Sequence, residues 1–193
     1  MSWRKVRGPA GYVSLDDAAA ARLATDHLLE LGHTEIGFIA GVPGSDRSER
    51  RLRGVVEALE ARGLSLRPEW LLDAGFDVPL GHAAGLRLLT RKSKPTGVVV
   101  ANVMAGIGVL AACREAGVRV PDDLSVVALL DIWFCEHTDP PLTVVSMPIG
   151  EMGARAVELL VAMIEGEPRE SVVLTDPPPQ LIVRRSTAAP KGR

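Results

Sequence analysis

The sequence predicts an α/β fold in which a doubly wound parallel sheet carries a partial second subdomain. Short apolar runs alternate with amphipathic helical patterns of about ten to fifteen residues, which is typical of βαβ units. The runs are apolar throughout, as strands covered on both faces are. With 193 residues, 47% of them hydrophobic, the chain is long enough to bury a core.

The first clear helix is predicted over residues 16–31. Asp16 or Asp17 is placed to cap its N-terminus and Gly32 to end it. Its apolar residues recur at helical spacing: Ala20, Leu23, Ala24, Leu28 and Leu31.

Three strand-to-helix units follow this helix. The predicted strands lie within EIGFIAG (35–41), EWLLDAGF (69–76) and VVVA (98–101). The helices that follow them are ERRLRGVVEALEARG (49–63), PLGHAAGLRLLTRK (79–92) and NVMAGIGVLAACREAG (102–117). SVVALL (125–130) is the next apolar strand, so the pattern indicates one parallel sheet with helices on both faces.

The rhythm changes after residue 130. The stretch DIWFCEHTDPPLTVVSMP contains Pro140 and Pro141, which interrupt a helix or a strand ladder, before TVVS (143–146) resumes as a short strand. A long amphipathic helix is predicted within 147–167, and the tail SVVLTDPPPQLIVRRS (171–186) holds two extended pieces. We interpret 131–148 as a connection to a second unit.

Charge and composition exclude several functional classes. The formal charge of −2 offers no basic footprint for a nucleic-acid backbone, and no run reaches the roughly 18 apolar residues of a membrane span. Two cysteines, Cys113 and Cys135, match neither a disulfide framework nor a CxxC site, so we expect buried thiols and a cytoplasmic location.

Catalytic and metal-binding patterns are weak. The four histidines are scattered without HxH or HxxxH spacing, and the serines lack a G-x-S-x-G elbow. The glycines of GVPG (41–44) and GIG (106–108) match no complete nucleotide-binding motif. We expect no metal, no cofactor and no enzymatic activity.

Five phrases, taken in order, carry a family resemblance. They are HLLELGHTEIGFIAG, RRLRGVVEALEARG, ACREAGVRVPDDLSVVALLDI, TDPPLTVVSMPIGEMGARAVELL and LIVRRSTAAP. Together they resemble the effector-binding core of LacI/GalR-type bacterial transcription regulators, over residues 13–189. The resemblance implies a periplasmic-binding-protein-like fold, with a flavodoxin-like subdomain, and a sugar or nucleoside-like effector bound in the cleft between two subdomains. It also implies a homodimer or larger homo-oligomer.

The front of the chain departs from this resemblance. Family members carry a helix-turn-helix headpiece and further βα units ahead of the stretch that matches here, so DNA is expected as a partner only through a headpiece that this sequence lacks. The resemblance divides the chain into a remnant of the N-terminal subdomain (1–33), a C-terminal ligand-binding subdomain (34–128), a crossover segment (129–145) and a helix and tail that complete the C-terminal subdomain (146–193). Helix 16–31 and segment 129–145 would then lack a covering sheet, which favours self-association.

The resemblance implies five ligand-binding residues. Arg51 of RLRG would reach into the cleft, although an exposed charge on an arginine-rich helix is an equal alternative. Phe76 would stack on the ligand or belong to the core. Asn102 begins the turn after the strand 98–101. Asp16 would face the cleft or cap its helix. Asp131 is the one acidic residue present here of a pair that the family pattern has at this place.

Two acceptor positions of the family pattern hold aliphatic residues. Val103 stands where the turn after strand 98–101 usually has aspartate, and Leu130 stands beside Asp131. These exchanges predict either a ligand less polar than a sugar or a loss of binding. The sequence is also compatible with a solute-binding module, a small flavodoxin-like enzyme or a non-binding oligomerisation remnant. The loop SDRSERR (45–51) could hold a phosphate or sulfate, or be simply solvated.

Overall fold

The computed structural model describes residues 11–168 and 171–191. Its strands are β1 (Tyr12–Leu15), β2 (Ile36–Ala40), β3 (Leu71–Asp73), β4 (Gly97–Val100), β5 (Ser125–Leu129), β6 (Thr143–Ser146), β7 (Ser171–Leu174) and β8 (Gln180–Ile182). Its helices are α1 (Asp17–Glu30), α2 (Asp46–Glu60), α3 (Val78–Leu89), α4 (Val103–Glu115) and α5 (Ile149–Ile164). The elements confirm the predicted alternation of strands and helices.

The main sheet has six strands in the order β3-β2-β4-β5-β6-β8. The first five are parallel, and β8 joins the edge antiparallel to β6. A separate two-stranded parallel sheet pairs β1 with β7. The predicted doubly wound parallel sheet with a smaller second unit is therefore confirmed.

Helices cover both faces of the main sheet. Phe38, Val99 and Val127 pack into one core with α1 and α2. Their neighbours along the strands point to the other face, where Ile39, Val98 and other residues share a second core with α3 and α4. This alternation explains why the strands are apolar throughout, because both sets of side chains are buried.

Glycines let the helices of each layer approach closely. A Cβ on Gly54 of α2 would lie 2.2 Å from the carbonyl oxygen of Ala18 in α1. On the opposite face, a Cβ on Gly81 of α3 would lie 2.3 Å from the carbonyl oxygen of Ala105 in α4. In both helix pairs the backbones can approach this closely only because a glycine has no side chain.

Both cysteines are buried, as predicted. Burial raises the pKa of the Cys113 thiol to about 12, so at neutral pH it is a packed, protonated side chain. Cys113 and Cys135 belong to the core beneath α3 and α4.

Helix α1 lies on the main sheet, which corrects the predicted division at residue 33. Ala20, Ala24 and Leu28 of α1 are fully buried in the core that it shares with α2. The expectation that this helix lacks a covering sheet is wrong, because the Gly54 contact brings α1 and α2 down together on one face. Residues 1–10 of the predicted remnant lie outside the described residues.

Helix α5 packs mainly against the two-stranded sheet, and Met152 is the residue of α5 that also reaches the core beneath α1 and α2. It packs against β1, and none of residues 149–164, all of which the structure describes, is buried. Within segment 146–193, β8 is the strand that joins the main sheet after Ser146. The predicted assignment of α5 to the C-terminal subdomain is therefore corrected. The predicted crossover 129–145 is also shorter than expected, because β6 pairs with β5 from Thr143 onward.

A buried polar network fastens the C-terminal tail to the main sheet. The His33 ring lies 2.9 Å from the carbonyl oxygen of Ala188 and 3.1 Å from the Ser125 hydroxyl. His27 Nε2 lies 2.9 Å from the Thr187 hydroxyl. These hydrogen bonds satisfy the buried polar groups of the two histidines and of their partners in the tail and the main sheet.

We expect the free energy of unfolding to fall as pH falls below about 6.5. Burial lowers the pKa of both His33 and His27 in the folded protein, whereas the unfolded chain protonates them at the ordinary value of about 6.5. The unfolded state then binds more protons, so stability is complete above pH 6.5 and is lost towards the lowered pKa values. Urea denaturation at pH 8.0 and 5.5 measures the difference.

His33→Gln should weaken this pH dependence and lower stability at pH 8.0. His137→Gln is the matched control, because that ring is exposed. An unfolding free energy that rises between pH 8.0 and 5.5 would contradict the expectation.

Candidate functional site

The strand order reverses direction between β2 and β4, which lie side by side at the centre of the main sheet. After β2 the chain enters α2 on one face, and after β4 it enters α4 on the other. Because the two loops leave the sheet towards opposite faces, this topology predicts a crevice at the carboxyl ends of β2 and β4. Ligands of open α/β sheets bind at such switch points.

Arg51 lies under this crevice and is only 1% exposed. Its Nε donates to Asp17 Oδ1 at 2.8 Å, and its Nη2 lies 2.7 Å from the same oxygen. Its Nη1 donates to the carbonyl oxygen of Ala101, the residue that follows β4. The interpretation of Arg51 as an exposed charge is therefore wrong, and its guanidinium joins α1, α2 and the β4–α4 turn.

Asp17 is the partner that sequence reasoning missed. Its carboxylate is 2% exposed and also accepts from Arg50 Nη2 at 2.7 Å. The signal for it was the pair of aspartates at 16 and 17, which offers one residue for capping and a second for another task. Burial lowers the pKa of Arg51, and the charge of Asp17 opposes this effect.

Asn102 caps α4 at the carboxyl end of β4. Its Oδ1 accepts from the backbone N–H of Met104 at 2.8 Å and of Ala105 at 3.4 Å. Val103, which follows it, is buried in the core beneath α3 and α4. The position where the family pattern has an acidic residue is therefore turned into the core here.

Phe76 lies on the loop between β3 and α3 and is half-buried. A Cβ on Gly41, the residue after β2, would lie 2.3 Å from Phe76 Cε1 and 2.6 Å from the Ser48 hydroxyl oxygen. The ring, the glycine and the hydroxyl thus meet at the carboxyl end of β2. Sequence reasoning placed Phe76 near the cleft but did not single out Ser48.

The remaining predicted residues, Asp16 and Asp131, have partners within the chain. Asp16 caps α1 by accepting from Ala19 N at 2.9 Å. Both oxygens of Asp131 accept from Arg184 Nη2, at 3.1 and 3.2 Å. Arg51, Asp16 and Asn102 are brought together through Asp17 and Ala101, whereas Asp131 is held by the tail.

Leu130 precedes Asp131 in a strained conformation. Its φ of 74° lies in the left-handed region, which costs a side chain other than glycine about 1 kcal/mol or more. Its N–H donates to the carbonyl oxygen of Val145 at 2.9 Å, which ties the strained residue to β6. Residues strained in this way cluster at functional sites.

Fold and crevice together define a ligand-binding domain of the periplasmic type. The family model for the periplasmic binding protein-like domain matches residues 25–187. A LacI family transcriptional regulator from Mycobacterium smegmatis has a structure similar to this one, with a TM-score of 0.94 at 37% identity over 97% of this chain and 69% of that chain.

The chain therefore belongs to the LacI family and holds its effector-binding domain. It is 32% identical, over 85% of its length, to the HTH-type transcriptional repressor PurR of Pasteurella multocida. The match covers 49% of that repressor, so this chain spans about half the length of the curated relative. A LacI family regulator from Enterococcus faecium with bound ribose has a TM-score of 0.84 at 29% identity, over 98% of this chain and 70% of that one.

Replacing Arg51 with alanine should lower the free energy of unfolding by about 3–5 kcal/mol, because it leaves the buried Asp17 carboxylate with Arg50 alone. Urea denaturation followed by circular dichroism measures this loss.

Arg53→Ala is the matched control on the same helix. The Arg53 side chain is exposed, so its removal should change stability by no more than about 0.5 kcal/mol. Equal effects of the two substitutions would contradict the structural role of Arg51.

Proposed function

We propose that this chain binds a small sugar or sugar-like effector at the β2–β4 crevice, as the non-catalytic sensor part of a cytoplasmic transcription regulator. The observation that carries the proposal is the meeting of the first turn of α2, the first turn of α4 and the Phe76 ring at the switch point. The related regulator with bound ribose supports a sugar-like ligand.

The five predicted residues take different parts in this proposal. Phe76 supplies an apolar face for a sugar ring. Asn102 and Asp16 hold the first turns of α4 and α1, and Arg51 fixes these turns relative to α2. Asp131, fastened by Arg184, positions the strained turn after β5.

The regulator class also favours a location in the cytoplasm, where a repressor meets its effector. Over residues 11–168 and 171–191, the helices are too short or too polar to cross a membrane. DNA contact would be made by a separate headpiece, as the helix-turn-helix type of the related repressor indicates.

Calorimetric titration with a panel of monosaccharides and nucleosides tests the proposal. We expect saturable binding of one of these ligands without turnover. Phe76→Ala should weaken that binding about tenfold, because a stacked aromatic face contributes roughly 1 kcal/mol beyond its buried area. Phe134→Ala, which removes a half-buried ring outside the crevice, is the control and should leave the affinity unchanged. Turnover of a ligand in the panel would favour the enzymatic alternative.

We further propose that the chain forms a homodimer through the exposed face of α5. Val157, Leu160, Val161 and Ile164 recur at i, i+3, i+4 and i+7, and each is about half exposed or more. An apolar stripe of this kind on a sixteen-residue helix is typical of an interface.

Sedimentation at micromolar concentration should show a dimer or larger species. Leu160→Glu combined with Ile164→Glu should yield a monomer, because two carboxylates on the stripe oppose its burial. Arg87→Glu, on the exposed side of α3, should leave the association intact. A monomeric wild-type chain would overturn this proposal.

A further inference from the structure

The Ser48 hydroxyl is buried without a hydrogen-bond partner among the residues that the structure describes. The residue is 7% exposed, and its oxygen is inaccessible to solvent. A buried hydroxyl that forms no hydrogen bond destabilises a folded protein relative to alanine. Ser14 in β1 has the same property, but Ser48 differs in lying at the carboxyl end of β2, where a group outside the chain can pair with its hydroxyl.

This hydroxyl lies on the first turn of α2, at the carboxyl end of β2. It lies directly over Gly41 at the end of β2, beside the Phe76 ring, where even the Cβ of an alanine at position 41 would come within 2.6 Å of it. The crevice floor at this point thus consists of a glycine backbone, an aromatic edge and one unpaired hydroxyl.

The N-terminus of α2 is also free of a side-chain cap. Ser45 occupies the cap position, but within the described ranges its side chain makes no capping hydrogen bond. Helices α1, α3 and α4, by contrast, are capped by Asp16, Asp77 and Asn102. The first N–H groups of α2 and its positive dipole end therefore lie beside Ser48 and favour a negative group.

Three acidic side chains near the carboxyl ends of the strands are paired with arginines of the chain. Asp17 is held by Arg50 and Arg51, and Asp131 by Arg184. Asp46, in the first turn of α2, lies 2.5 Å from Arg50 Nη1, which offsets its charge.

Positively charged groups and hydrogen-bond donors are also present at the first turn of α2. Arg47, in the first turn of α2, has an exposed and positively charged side chain. The first turn of α2 thus offers N–H groups, one unpaired hydroxyl and a positively charged side chain.

We propose that the effector carries an anionic group, a phosphate or a carboxylate, which binds the first turn of α2 and accepts a hydrogen bond from Ser48. Phe76 then lies against the uncharged part of the ligand. This inference rests on the proposed effector-binding function and specifies the ligand class of the same crevice.

Titration of the chain with ribose, ribose 5-phosphate and ribonate tests the inference, and the last two separate a phosphate from a carboxylate. At least one anionic ligand should bind about tenfold or more tightly than ribose, because charge-assisted hydrogen bonds at a helix N-terminus are the stronger kind. Inorganic phosphate should compete with it.

Ser48→Ala should reduce the preference for the anion to about threefold or less while raising the melting temperature, because it removes an unpaired buried hydroxyl. Ser65→Ala, at an exposed position, is the matched control and should change neither quantity. Arg47→Gln should weaken anion binding, whereas Arg53→Gln on the same helix should not.

Equal affinities for ribose and both anionic ligands would overturn the inference and leave the proposed function in place. A tenfold anion preference that survives in Ser48→Ala would also overturn it. Failure of every neutral and charged sugar to bind would overturn the proposed function itself.

Discussion

The buried ion pair between Asp17 and Arg51 holds the crevice in shape. A lysine could not replace this arginine, because the planar guanidinium reaches the carboxylate with two nitrogens while the third donates to the carbonyl oxygen of Ala101. Burial of two charges contributes little net stability, yet removal of one partner is costly. The pair therefore acts chiefly to specify geometry. It keeps the starts of α1 and α4 and the first turns of α2 in a single arrangement.

The fold could be predicted largely from the alternation of apolar runs and helical patterns, because strands buried on both faces leave an unmistakable composition. The partners of α1 and α5 could not be predicted in this way. Helix α1 is alanine-rich and weakly patterned; it packs on the sheet through Ala20, Ala24 and Leu28 and touches the neighbouring helix α2 at Gly54. Helix α5 has a clear apolar stripe but leaves it exposed. The assignment of α5 depends on the pairing of β1 with β7, which are more than a hundred and fifty residues apart in the chain.

The candidate site shows the same limit at the level of single residues. Family pattern and strand ends place Arg51, Phe76 and Asn102 around the switch point, since the carboxyl ends of parallel strands share one edge. Pattern alone cannot tell that Arg51 is occupied by Asp17, because that contact joins two helices across 34 positions. Nor can it tell that Val103 points into the core, which follows from the direction in which α4 leaves its cap.

Two features at the carboxyl edge of the main sheet reduce the stability of the fold, and no packing or hydrogen bond within the described chain accounts for them. Leu130 adopts a left-handed conformation, and Ser48 buries a hydroxyl that has no partner in the described part of the chain. Ser14 in β1 also buries a hydroxyl without a partner in the described part of the chain, whereas the histidine network around the tail satisfies its buried polar groups. Local departures from otherwise consistent folding rules mark functional positions, because a residue selected only for stability would not retain them. Both departures lie at the carboxyl edge of the main sheet, one on either side of β4.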